Sequence, residues 1–384
     1  MVGAFLLSLV PFFWQDIDSV SILEGCRKCD FRGVVVCKNH PKELVEMESQ
    51  VEFCSVAAQC EDCFGSFLLA CAKCEGGPQT DSMLKRREVI AQHAQEASAL
   101  EKFLESSLIR VQTAHIHVSG NLEEVRNKKK RISGHAFMHH VARDGERVAT
   151  LVNAHFGAKP KHYRSPMFLW FWEDLETHRN VIGHFLGSGT AGDFKWLGKD
   201  PRFSVHCGDE TFGFDAVTLH TLGVHNVGHM LVSNLFTEVW IGDMGGGWFD
   251  SGSAHWYEEA VFQKVRHHCI DEIAYSANYS NGLWRAALRK HLARNDDSVI
   301  LPSLVRKLTG SMSALEHALS WSFYDWLVNQ HPSKLAPILK GLKKRTPERD
   351  LFSEYLEMNF RQTEEAWRDW VGENYPKKEP SRRR

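Results

Sequence analysis

The stretch His225-Asn226-Val227-Gly228-His229, followed by Trp248-Phe249-Asp250-Ser251-Gly252-Ser253-Ala254-His255-Trp256, decides how this chain is read. An α-helix turns once every ~3.6 residues, so side chains four apart share a face. His225 and His229 therefore point the same way, which is how one helix offers two nitrogen ligands to one zinc. His255 stands in the same relation to Ser251, one turn along. His220 is five before His225, about 140° round the helix, and less well placed. Between the two segments lies Gly245-Gly246-Gly247. It lacks the strand-to-helix context and the Lys of a phosphate-cradling loop, so nucleotide binding is not indicated.

Working outward, Arg110 to Val118 alternates and predicts a strand, with His115 and His117 on one polar face. Asn121 to Phe156 reads as helical, with Lys128-Lys129-Lys130-Arg131 as its solvated face. Met167-Phe-Leu-Trp-Phe-Trp172 is wholly apolar, which predicts a strand buried on both faces. A helix from Glu173 to His184 and a strand over Phe203–Cys207 follow. The helix carrying the paired histidines starts near Asp215, and a second runs from about Asp250 to His268. From Ser280 the chain reads as helix, broken near Asn295-Asp296-Asp297, Thr309-Gly310-Ser311, His331-Pro332 and Arg345-Thr346-Pro347.

The N-terminal part has its own signal. Cys26-x-x-Cys29 and Cys37-x-x-His40 are followed by Cys60-x-x-Cys63 and Cys71-x-x-Cys74. Each half holds two knuckles with the same seven-residue gap. A two-residue spacing lets both ligands of a tight turn face one ion, and tetrahedral zinc needs four soft or borderline donors. Two structural zinc ions are the expectation, with disulfides as the alternative that an exported chain would permit. Residues Phe31 to Val36 and Phe64 to Ala70 can form hairpins between knuckles. The ligands pair either locally, half by half, or in a nested way, first knuckle with last. Cys54 is left over. Cys207 and Cys269 read as lone buried thiols. The pattern resembles zinc ribbons and, more loosely, the cysteine-rich domain of DnaJ-type chaperones, as in Cys60-Glu-Asp-Cys63-Phe-Gly65. After Gly76-Gly77-Pro78, residues from about Asp81 to Ile109 read as one amphipathic connecting helix.

The chain has 384 residues, 43% hydrophobic and 24% charged, which suits one large domain and a smaller one. With a net charge of −2 there is no basic field for a nucleic-acid backbone. The apolar run from Val2 to Trp14 is shorter than the ~20 residues a membrane-spanning helix needs but has the length of a signal-peptide core. This points to export, periplasmic or extracellular, with a cytoplasmic protein as the alternative, and to no integral membrane span. The expected organisation is a signal peptide over 1–20, a Cys/His module over 21–79, a connecting helix over 80–109, a large domain over 110–375 and a disordered basic tail over 376–384.

In its order of parts the chain resembles the gluzincin, or peptidase MA-like, zinc metallopeptidases, over roughly Arg110 to Val371. A few strands precede a helix with His-x-x-x-His. A second helix about twenty residues on carries Trp248, Gly252 and Ala254, where that family reads roughly Trp-Leu-x-Glu-Gly-x-Ala. Ser320-Trp-Ser-Phe-Tyr324 and Glu364-Glu-Ala-Trp367-x-x-Trp370 resemble C-terminal helices of bacterial members. The resemblance implies an α+β fold: a small zinc-ribbon-like module, then a metallopeptidase-like domain with a few-stranded sheet and a mainly helical C-terminal part. It places the first two zinc ligands on His225 and His229. The general base, Glu in His-Glu-x-x-His, falls on Asn226, and the third ligand, also Glu, falls on Ser251. An amide cannot take a proton from zinc-bound water and serine is a poor ligand. Both degenerate positions replace a carboxylate by a neutral group. His255 could complete a three-histidine site, with Asp250 or Glu258 as base or ligand. The expected function is that of a non-catalytic pseudo-peptidase binding protein or peptide. The alternative is a divergent zinc hydrolase using His225, His229 and His255.

Overall fold

The computed structural model describes residues 26–40, 51–74, 77–95, 97–128, 130–187, 194–197, 202–209, 215–237, 239–265, 279–293 and 299–378. The N-terminal apolar run, Gly76, the Asn295–Asp297 break, Cys269 and the end of the basic tail lie outside them. Among the described residues the fold is mixed α and β, and no helix is long and apolar enough to cross a membrane.

The strands, in chain order, are β1 (Val34–Val36), β2 (Val51–Cys54), β3 (Leu68–Ala70), β4 (Ile109–Thr113), β5 (Ile116–Gly120), β6 (Glu124–Asn127), β7 (Lys130–Ser133), β8 (Met167–Trp172), β9 (Phe194–Trp196) and β10 (Arg202–Cys207). Six of them form one sheet in the order β2-β4-β5-β8-β10-β9. The centre is parallel, with β8 between β5 and β10. The edges are antiparallel: β4 on β5, β2 on β4, and β9 on β10. The longer helices are α1 (Thr80–Gln95), α2 (Gly134–Phe156), α3 (Leu175–Leu186), α4 (Ala216–Asn234), α5 (Gly247–Phe262), α6 (Ala314–Gln330) and α7 (Phe360–Asn374).

The apolar run of β8 is explained by helices on both sheet faces. Met167, Leu169 and Phe171 join the main core with α2 and α4. Trp170 and Trp172 join a second core with Val181 and Ile182 of α3. Alternate residues of a strand face opposite ways, so a strand covered on both sides must be apolar throughout.

Helix α4, which carries the paired histidines, is fixed at both ends. Asp215 caps its start by accepting from the Thr218 N–H at 2.8 Å. Past its end, buried Lys343 donates to the carbonyls of Ser233, Leu235 and Thr237 at 2.8, 2.7 and 2.9 Å. Its N–H donors satisfy carbonyls that the helix leaves open. Helix α5 crosses α6 closely at Gly252, where a Cβ would lie 2.5 Å from the Ser320 carbonyl oxygen. The glycine of the Trp-x-x-x-Gly-x-Ala pattern is thus a packing device.

Four local expectations differ from the structure. The segments between knuckles do not close on themselves: β1 pairs antiparallel with β3, Val34 opposite Ala70. The connecting helix is two helices, because Ser98 opens a new one with a capping box to Glu101. The strand expected over Arg110–Val118 is the β4–β5 hairpin, which puts His115 in its turn and bonds its Nδ1 to Glu146 at 2.9 Å. The helix expected from Asn121 begins only at Gly134, capped by Ser133. Before it, Lys128, Lys130 and Arg131 sit in the β6–β7 hairpin, where Arg131 pairs with Glu124 at 2.8 Å.

Candidate metal centres

The Cys/His module resolves the pairing question through its fold. Because β1 lies against β3, the first knuckle meets the last and the second meets the third. Cys26, Cys29, Cys71 and Cys74 form one group, and Cys37, His40, Cys60 and Cys63 the other. Cys26 and Cys71 sulfurs are 3.7 Å apart and those of Cys29 and Cys74 3.1 Å. His40 Nε2 is 3.2 Å from Cys63 Sγ. A tetrahedron with Zn–S bonds of about 2.3 Å has edges of about 3.8 Å, so both groups fit a zinc ion. Each group also has a thiol already biased toward thiolate. The hydrogen bond from Cys74 pulls Cys26 down to about 6. Burial pushes Cys60 up, but the N–H groups of Cys63 and Asp62 bring it down to about 6.

The central cluster is wholly buried: His225, Asn226, His229, Asp250, Ser251, His255, Glu258 and His317 all have no exposed area. His225 and His229 present their Nε2 atoms to each other at 3.1 Å. Two nitrogens on one tetrahedral zinc would be about 3.3 Å apart. Each imidazole has a carboxylate behind it. Glu258 Oε2 is 3.0 Å from His225 Nδ1, and Asp250 Oδ1 is 3.1 Å from His229 Nδ1. Carboxylates in that outer position orient metal-binding histidines. Burial works to raise the Asp250 carboxyl, but His229, Trp240 and Thr309 overcome it and hold it below the usual range. Trp240 Nε1 donates to Asp250 Oδ2 at 3.0 Å and Thr309 Oγ1 donates to the same oxygen at 2.8 Å.

The other sequence-singled residues fall around this pair. The His255 ring is 4.7 Å from the His225 ring, and its Nδ1 donates to the Ser251 carbonyl at 2.8 Å. His225, His255 and Glu258 together offer three donor atoms within 4.8 Å of one another. The Ser251 hydroxyl sits 2.5 Å from His317 Nδ1, on α6, a contact that sequence reasoning missed. The amide of Asn226 is engaged at both ends. Lys195 Nζ on β9 donates to its Oδ1 at 3.0 Å, and its Nδ2 donates to Ser204 Oγ at 2.9 Å. His220 faces away, with Nε2 3.1 Å from Asp144.

A third group also went unseen in the sequence. Cys54, at the end of β2, meets His135 and His139 at the start of α2. Cys54 Sγ lies 3.1 Å from His135 Nε2, which lies 3.0 Å from His139 Nε2. The signal was available: His135-x-x-x-His139 has the spacing of His225-x-x-x-His229, and Cys54 was the unassigned cysteine. No protein-family model matches the chain, and no curated protein matches it.

Proposed function

We propose that this chain is a non-catalytic protein- or peptide-binding protein on a gluzincin-like frame, with two structural zinc ions in its Cys/His module and an N-terminal segment that directs export. The observation that carries the reading is the environment of Asn226. Hydrolysis by a zinc-bound water needs a carboxylate beside that water to take its proton. The residue in the general-base position is an amide, and the charge next to it is the ammonium of Lys195 at 3.0 Å. The local field has the wrong sign for a base. The third-ligand position, Ser251, is a hydroxyl bonded to His317. The two nearby carboxylates, Asp250 and Glu258, stand behind the histidines on their Nδ1 sides, where they orient rings.

The test is hydrolysis of an unstructured protein such as casein, with zinc supplied, by the full chain and by His225→Ala. No turnover by either, together with binding of the same polypeptide by fluorescence anisotropy, is the expected result. Zinc-dependent cleavage that His225→Ala abolishes would overturn the reading.

One observation favours a second reading, a divergent zinc hydrolase built on His225, His229 and His255. The Nε2 atoms of His225 and His229 converge at zinc-like separation with a carboxylate behind each ring. Metal analysis of His225→Ala against the parent chain decides this point: loss of one equivalent supports a central ion, and no loss removes it.

A further inference from the structure

We infer that Cys54, His135 and His139 form a third metal site, separate from the two knuckle groups and from the central cluster, which takes a borderline transition cation such as Zn²⁺ and leaves one coordination position exchangeable. One thiolate and two imidazoles suit zinc and its neighbours and do not suit Ca²⁺ or Mg²⁺, which prefer oxygen.

The argument rests on how the three donors meet. His135 Nε2 has two close polar neighbours, Cys54 Sγ at 3.1 Å and His139 Nε2 at 3.0 Å. An imidazole nitrogen carries either one proton or one lone pair. It can satisfy one of these neighbours well, and the other is then left facing it without a bond of its own. A cation between them is satisfied by all three lone pairs at once. The separations lie within about half an ångström of the edges of a tetrahedral zinc site. They also match those inside the module, where His40 Nε2 is 3.2 Å from Cys63 Sγ.

Burial sets the open side. Cys54 and His139 are buried, and His135 is half-buried. Of the three, His135 alone lines a cleft of about 490 Å³, together with Asn39, His40, Gln59, Cys60 and Asp62. The fourth position therefore opens toward the cleft, where it can take water or a small monodentate donor such as a carboxylate or thiolate. Three protein ligands with one exchangeable position is the pattern of a site that is more than a staple.

The bracing around the ligands is uneven. Burial pushes the Cys54 thiol up to about 11, and the nearby N–H groups of Val56 and Ala57 act against it. His139 Nδ1 is buried and has no hydrogen-bond partner among the described residues. Loss of an outer partner typically weakens metal affinity by about 10–100-fold. The third ion is accordingly the most labile, the first removed by a mild chelator while the knuckle ions stay.

The experiment uses the full chain loaded with Zn²⁺ and freed of excess metal. Zinc per chain is measured for the parent, Cys54→Ser and His135→Gln, with circular dichroism as the check on folding. Each variant should hold one equivalent less than the parent. Co²⁺ added after mild chelation should give a sulfur-to-cobalt charge-transfer band that Cys54→Ser abolishes. Unchanged zinc content in folded Cys54→Ser and His135→Gln would overturn the site. Should Cys54→Ser fail to fold, the partly exposed position His135→Gln decides alone: one equivalent lost supports the site and none lost overturns it.

Discussion

Lys195 Nζ lies 3.0 Å from the amide oxygen of Asn226, so a cation from the edge strand β9 is bound to the residue between two paired histidines. Substituting a carboxylate at that position should not create a peptidase. In Asn226→Glu the new carboxylate pairs with Lys195 and is turned from the histidine pair, and Ser251 still supplies no charge. Casein hydrolysis with zinc present should stay at the background of the parent chain. Zinc-dependent turnover in the single variant would show that the Lys195 contact does not control this position.

The nested knuckles give opposite results for two double variants. Cys26→Ser with Cys74→Ser strikes one group twice and should remove one zinc per chain. Cys26→Ser with Cys37→Ser strikes both groups and should remove two. Local pairing would reverse the two results, because Cys26 and Cys37 would then share one ion and Cys74 would belong to the other. Zinc content of the two double variants, one lost and then two or two and then one, therefore decides the pairing.

Gly252→Ala should destabilise the chain by about 1–3 kcal/mol through overpacking. The added methyl would meet the Ser320 carbonyl oxygen at 2.5 Å, and backbone cannot move aside as a flexible side chain can. Chemical denaturation measures the loss. A change below about 0.5 kcal/mol, the range of ordinary surface substitutions, would mean that α5 and α6 separate easily.

Lys343 gives a pH dependence whose sign follows from burial. Burial, helped by Arg202 and opposed by Asp250, pushes its ammonium down to about 6. The unfolded chain keeps an ordinary lysine near 10.4, so between about pH 6 and pH 10 the unfolded state binds more protons. Stability from this group therefore rises with pH over that window, by at most about 1.4 kcal/mol per pH unit. Asp250 acts at the other end. Its carboxyl is held low, so its contribution is present above about pH 4 and lost as pH falls through the folded value. Denaturation at pH 6.5 and pH 9 for the parent and Lys343→Met isolates the lysine by difference. Equal slopes in both would count against it.

Much of the frame was legible because its signals are local. The all-apolar β8, the Asp215 cap and the four knuckles each announce themselves within a few residues. The errors come from signals that a distant part of the chain overrides. Lys128–Arg131 has the look of a helix face until Ser133 is seen to start α2. The equal seven-residue gaps leave local and nested pairing open, and the β1–β3 contact selects the nested one. In the central cluster, sequence located His225, His229, His255, Asp250 and Glu258 but not the groups that bind Asn226 and Ser251. Lys195 and His317 reach Asn226 and Ser251 from β9 and α6, and no spacing rule links them. Cys54 lies 81 residues before His135 in the chain, and only the fold joins it to the His135–His139 pair.

Strand β2 lies between the second and third knuckles in sequence, yet it forms one edge of the six-stranded sheet. The chain leaves the module after His40, lays down that edge, and returns at Cys60 to complete the inner ligand set. A zinc ion held by either group would tie together donors that lie on both sides of β2. Zinc binding there would therefore couple the module to the sheet edge. Stripping the zinc should loosen the β2–β4 hydrogen bonds first, as amide exchange would register, well before it reaches α4 and the histidines it carries.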